Sequence, residues 1–269
     1  MHDTVSHAAY RASPYRSIKH STYFEAYDAL FARYRGQPIT LVEIGVLGGG
    51  SLFMWREFFG PQARIVGIDL NPAARKWEAE GFEILIGSQS DPSFWRDALA
   101  RIGEIDVVLD DGGHTYEQQI VTAECLLDAI RDGGMLVVED THTSYMKGFG
   151  APGRSFMQYA YQMADRINRR FARLDGPAER RVWSIRLFES IVAFEVNRAA
   201  SHRPSEPTDN GGADDRADDM RVAAQGAGGA LARLAAPLAR VPLLGRAVRL
   251  IDRRIGEAAS ARRTARFFR

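Results

Sequence analysis

The sequence predicts an α/β fold: a doubly wound, mostly parallel sheet with helices on both faces. Three observations predict it. Five near-continuous Val/Ile/Leu runs (TLVEIGV, RIVGIDL, FEILIGS, IDVVLDD and GMLVVED) recur along the chain. Helix-like segments beginning near Ser51, Pro72, Asp91 and Thr115 separate them. Strands of that composition are buried on both faces, and right-handed crossovers place the intervening helices on either side.

Residues 1 to about 20 are polar and aromatic and read as loosely held. Residues 21–35 carry Tyr23, Phe24, Tyr27, Leu30, Phe31 and Tyr34 at helical spacing, with Ser21 or Thr22 as N-cap. Past a loop at 142–154 comes a helical segment, SFMQYAYQMADRINRRFA, and then two close strands, VWSIRLF and SIVAFEV. The short gap between those strands leaves no room for a crossover helix, so they predict a final antiparallel hairpin and a seven-stranded sheet. The domains read as a helical N-terminal segment (1–38), a catalytic domain (39–199), a Gly/Pro/Ser/Asp-rich linker (200–229) and a basic amphipathic helix (230–269). The last segment holds ten arginines against Asp252 and Glu257, with Pro237 and Pro242 interrupting its first part.

Of 269 residues one is cysteine, Cys125, which rules out an internal disulfide and suits a reducing cytoplasm; a buried, inert thiol is expected. The net charge of +1 gives no reason to expect a nucleic-acid partner. No run of ~18 apolar residues spans a membrane, and the N-terminus lacks the apolar core of a secretion signal. The expected location is the cytoplasm, with its membrane surface as an alternative, because a basic amphipathic helix ending in Phe267 and Phe268 can lie on anionic lipid. Packing of that helix on its own domain or on a second subunit is the competing reading.

The chemistry gathers at strand ends. The first strand runs into E-x-G-x-x-G-G-G (Glu43, Gly45, Gly48, Gly49), a turn that lets a ligand approach the backbone beside a helix N-terminus. Its spacing differs from the dinucleotide fingerprint, and Glu43 suits a ligand with a cationic amino acid portion. Asp69, about 20 residues on, ends the second strand where an acid holds ribose hydroxyls. Gln89, Ser90 and Asp91 end the third, placed to edge an adenine, although Asp91 can equally cap the next helix. Together they describe a site for S-adenosylmethionine.

Asp110 and Asp111 end the fourth strand, and Glu139 and Asp140 end the fifth. Four carboxylates at one sheet edge repel one another unless a cation sits among them, and hard oxygens suit Mg²⁺ or Ca²⁺ better than zinc. Asp110 is assigned to the donor side or the turn. His114 is three residues from Asp111 and is the candidate general base, with His142 as the other candidate or as an acceptor-site residue. Tyr145, Lys147 and Arg154, on a glycine-containing loop, are expected to shape the acceptor site as a mobile lid.

The motifs VEIGVLGGGSL, GIDLN, GSQSD, DDGGH and VVEDTHTSY, in that order over residues 39–146, resemble class I S-adenosylmethionine-dependent methyltransferases. The specific likeness is to the Mg²⁺-dependent sugar O-methyltransferases of macrolide, rhamnosyl and polysaccharide pathways. The resemblance implies a Rossmann-like sheet of order 3-2-1-4-5-7-6, with Mg²⁺ on Asp111, Glu139 and Asp140, and His114 as the base. It also places the aromatic residues of KHSTYFEAYDALF near the active site. The implied reaction is methylation of a sugar hydroxyl on a glycoside or polysaccharide, and a homo-oligomer, a dimer, is expected. A catechol-type small-molecule acceptor and a lipid-linked glycan are the alternatives. The macrolide enzymes carry a large extra N-terminal domain, so their oligomer and acceptor do not carry over.

Overall fold

The computed structural model describes residues 3–171, 174–213, 251, 254–255 and 257–267. Seven strands form one sheet: β1 (Thr40–Ile44), β2 (Arg64–Asp69), β3 (Glu83–Ile86), β4 (Ile105–Asp110), β5 (Ile130–Val138), β6 (Val182–Phe188) and β7 (Ile191–Val196). Their order is β3-β2-β1-β4-β5-β7-β6, parallel except where β7 pairs antiparallel with β5 and β6. This is the Rossmann-like order expected above, hairpin included.

Side chains alternate between two cores, as a strand period of two requires. Leu41, Val107, Leu109, Met135 and Val137 face one core, while Val42, Val108, Leu136 and Val138 face the other. The first core is covered by α1 (Val5–Ala12), α2 (Tyr23–Phe31) and α3 (Gly50–Phe59). The second is covered by α4 (Pro92–Ile102), α5 (Tyr116–Leu126) and α6 (Phe156–Asn168). A short α7 (Arg198–His202) follows the sheet. Burial of both faces explains why the strand runs are continuous rather than alternating in polarity.

Three local expectations change. The first residues are held, not loose: Thr4 caps α1, and the Val5 and Ser6 amides donate to Asp28 at 2.8 and 2.9 Å. An eight-residue helix is too short to show its periodicity in sequence. The segment after Pro72 forms a 3₁₀ helix, Pro72–Glu80, entered through an Asn71 cap and left at Gly81, whose φ is 81°. Cys125 is partly rather than fully buried, and burial pushes its thiol up.

Residues 207–269 form a separate compact unit. Within it, Ile251, Arg254, Ile255 and 257–264 are helical and a 3₁₀ turn covers Ala265–Phe267. Most of the expected linker and of the amphipathic helix lies outside the described residues. No helix among the described residues is long and apolar enough to cross a membrane.

Candidate active site

A cavity of about 460 Å³ opens at the carboxyl ends of β1, β2 and β4, the place where open parallel sheets bind ligands. One end is made largely of backbone. Gly45 (φ 91°) lies so close to the Asp111 carbonyl that a Cβ has no room, and Gly49 (φ 79°) begins α3 against the Trp77 ring. Asp69 lines this end and also holds its shape. Its Oδ2 accepts from the Val46 and Leu47 amides (3.0 and 2.9 Å), and its Oδ1 accepts from Asn71 N (2.7 Å).

The other end is made of charged side chains. Asp111, His114 and Asp140 line it, and their ligand atoms lie within 4.8 Å of one another. His114 Nε2 is 3.2 Å from Asp140 Oδ2. Glu139 is fully buried behind them. Of the four non-glycine residues of the described chain with positive φ, His114 (59°), Asp140 (53°) and Ser190 (61°) belong to this end, and Leu47 (46°) lies in the glycine turn of the other. Each such conformation costs about 1–3 kcal/mol, so the surrounding contacts must enforce it. Tyr23 supplies several of them. Its hydroxyl donates to Asp140 Oδ1 (2.5 Å), receives the Asp140 amide (3.3 Å) and lies 2.9 Å from Ser190 Oγ.

Lys19 joins the two acids. Its side chain is about 1% exposed, and its ammonium donates to Asp111 Oδ2 (2.6 Å) and Glu139 Oε2 (2.8 Å). The Tyr27 hydroxyl donates to the other Glu139 oxygen at 2.6 Å. Burial works against the Lys19 charge, but Asp111 and Glu139 outweigh it and hold the ammonium above its ordinary range. Burial also raises Glu139, against the pull of Lys19. The two short contacts decide for the charged pair. The Tyr23 and Tyr27 hydroxyls are likewise pushed up, first by burial and then by the neighbouring carboxylates, so both remain donors.

The sequence-derived residues divide clearly. Gly45, Gly48, Asp69, Gln89, Asp111, His114 and Asp140 line the cavity together. Glu43, Gly49, Ser90, Asp91, Asp110, Glu139, His142, Tyr145, Lys147 and Arg154 do not. Glu43 is fully buried beneath the turn, accepting from the Trp55 indole at 3.0 Å; burial pushes it up to about 7, with Lys19 opposing. Asp91 caps α4 by accepting from Ser93 N at 2.8 Å, the capping alternative raised above. Asp110 is a strut: it accepts from Gln89 Nε2 (2.9 Å) and Gly112 N (3.1 Å), and burial raises it to about 6. Gln89 spends its amide on the same strut, with Oε1 accepting from Gly113 N at 3.0 Å. On the 142–154 loop, His142 comes within 3.8 Å of Asp140 while Tyr145, Lys147 and Arg154 are exposed to solvent. Lys19 and Ser190 were not read from the sequence as site residues. The only signal for Lys19 was its place in the KHSTYFEAYDALF motif.

Residues 42–141 match a family described as a methyltransferase domain. The 8-demethyl-8-alpha-L-rhamnosyl tetracenomycin-C 2'-O-methyltransferase of Streptomyces olivaceus is 34% identical over 196 residues, 67% of this chain and 51% of that protein. The demethylmacrocin O-methyltransferase of Streptomyces fradiae is 36% identical over 139 residues, 48% of this chain and 35% of that protein. Among solved structures, the MycE methyltransferase from the mycinamycin pathway, in complex with Mg, SAH and mycinamycin VI, superposes with a TM-score of 0.65. It is 27% identical, over 76% of this chain and 55% of that one. The chain thus spans about half or less of the length of the relatives it matches.

Proposed function

We propose, from the premise that residues 42–141 form a methyltransferase domain on a class I Rossmann-like sheet, that this chain is an O-methyltransferase. It uses S-adenosylmethionine to methylate a sugar hydroxyl of a glycoside, with a divalent cation, Mg²⁺, at the acid end of the cavity. The observation that carries the reading is that one cavity joins the Gly45–Asp69 end to the Asp111–His114–Asp140 end. Named sugar O-methyltransferases among the relatives, and a solved neighbour in complex with Mg and SAH, support it.

The carboxylates of Asp111 and Asp140, with a third behind them, fit a hard cation, and the His114 imidazole stands beside them within 4.8 Å. Asp111 and Asp140 would hold it. Glu139 joins them only if Lys19 gives up its Oε2. A bound divalent cation supplies Lewis-acid polarisation of the acceptor hydroxyl.

The chain's own residues do the rest. Asp69 and the glycine turn hold the donor's ribose and methionine portions against the backbone. The acceptor hydroxyl enters between the donor and Asp140, and its oxygen attacks the donor methyl in line. His114 takes the hydroxyl proton at Nε2, the nitrogen on the cavity side, since Nδ1 is buried. The O–CH₃ bond forms as the S–CH₃ bond breaks, leaving a methyl ether and S-adenosylhomocysteine. Tyr23 and Tyr27 remain donors and keep Asp140 and Glu139 aimed.

The test is product analysis by mass spectrometry with methyl-labelled donor and a panel of rhamnosylated polyketides, other glycosides and catechols. Label on a sugar oxygen is the expected result. Label on catechols alone reassigns the acceptor, and no transfer to any hydroxyl contradicts the reading.

A further inference from the structure

We propose that His20, Asp140 and His142 form a second cation site, on the outer side of Asp140, for a borderline transition-metal ion such as Zn²⁺ or Ni²⁺. Each residue offers one ligand atom, and the three atoms lie within 4.8 Å of one another. His20 Nε2 and His142 Nδ1 are each 3.8 Å from the same oxygen, Asp140 Oδ1. The imidazoles meet edge to face, with centroids 5.8 Å apart and an interplanar angle of 87°. Ligand atoms about 2.0–2.1 Å from a tetrahedral zinc stand roughly 3.3 Å from one another, so small side-chain rotations close the set.

Asp140 is divided between two environments. Its Oδ2 faces His114, with Asp111 beyond, and belongs to the cavity. Its Oδ1 faces His20, His142 and the Tyr23 hydroxyl. The chemistries of the two sides differ accordingly. Two carboxylates with one imidazole suit a hard cation, whereas two imidazoles with one carboxylate oxygen suit zinc, nickel or copper. The left-handed backbone of Asp140 (φ 53°) projects the side chain so that both sides are served.

The site is open to solvent. The His20 and His142 side chains are 65% and 46% exposed, so an ion reaches them from solvent. Ser190 Oγ lies 2.6 Å from His142 Nδ1, the nitrogen the ion would take, so binding displaces that contact. On binding, the hydroxyl turns its proton away and Nδ1 is freed for the ion. An ion held here draws Oδ1 from Tyr23, so transition metals are expected to inhibit whatever reaction Asp140 serves.

The inference does not depend on the proposed methylation, because it is read as binding without donor or acceptor. Zn²⁺ is titrated calorimetrically into the protein held in excess Mg²⁺, so that the Asp111–Asp140 end of the cavity is already filled, and Co²⁺ is followed by its visible spectrum, which reports imidazole ligation. One site beyond the cavity site is expected. His20→Ala and His142→Ala should each weaken it by about tenfold or more and move the Co²⁺ bands, while Asp111→Asn leaves the bands unchanged. Unchanged Zn²⁺ affinity in the His20→Ala/His142→Ala double variant, loss of the site in Asp111→Asn, or no single site at all would overturn the proposal. Both histidines are exposed, and unchanged melting temperatures of the ion-free variants confirm that they fold.

Discussion

The two ends of the cavity are built in opposite ways. The donor end is backbone: a glycine turn whose amides are held by one acid, Asp69, at the end of the next strand. The acid end is side chains brought together from far apart; Lys19 meets Asp111 and Glu139 across 92 and 120 positions, and Tyr23 meets Ser190 across 167. A backbone site needs small residues and a tight turn, which neighbouring residues provide. Concentrated negative charge in a nearly buried place needs cations and donors, and those arrive from another segment. The donor end is therefore mostly local, with one strained residue, Leu47, while the acid end is assembled from afar and holds three.

Cutting the acid end should produce the largest effects. Asp140→Ala removes the residue shared by His114, Tyr23 and the proposed cation, and turnover should fall by about 10³-fold or more, measured at saturating donor. Near-normal turnover would remove the acid end from the reaction. Lys19→Met leaves two acids without their ammonium, and breaking a buried pair costs about 3–5 kcal/mol, read as a lower midpoint in urea unfolding. Lys19→Arg should recover part of the loss. A silent Lys19→Met would mean the acids are neutral.

Glu43 tests the boundary between the ends. Burial raises it from 4.5 to about 7, so below about 4.5 it is protonated in both folded and unfolded chains and costs nothing. Between those values the unfolded chain gives up its proton first, and stability falls as pH rises, levelling off above about 7. Glu43→Gln should therefore match the wild type near pH 4.5 and exceed it by about 3 kcal/mol at pH 8 in urea unfolding. The smallest effect belongs to the donor end. Asp69→Asn keeps an acceptor oxygen but loses charge-assisted bonds worth about 1–3 kcal/mol, so S-adenosylhomocysteine should bind roughly ten- to a hundredfold more weakly by calorimetry.

The same contrast decides what could be read from sequence. The strands, the closing hairpin and the glycine turn follow from local signals (apolar runs, a short connection, and E-x-G-x-x-G-G-G), whereas the strand order comes with the family resemblance. Asp111, His114 and Asp140 were legible because strand ends in such sheets converge. Lys19 was not, since nothing in an isolated lysine says which acids, roughly a hundred residues away, it will meet. Gln89 lines the cavity as expected, and Asp110, assigned to the donor side or the turn, takes the turn; sequence cannot show that these two strand-end groups will also satisfy each other. Asp91 had two local readings, and the helix that starts beside it chose the cap.

The central claim is that the acid end holds a divalent cation that the methyl transfer needs. The most direct measurement is the rate of transfer from labelled S-adenosylmethionine to a glycosylated acceptor, in EDTA and then with Mg²⁺ restored. Transfer should be lost in EDTA and return with Mg²⁺ in the wild type, and should not return in Asp140→Ala. Full transfer in EDTA would contradict the claim and leave Lys19 as the only cation the acid end requires.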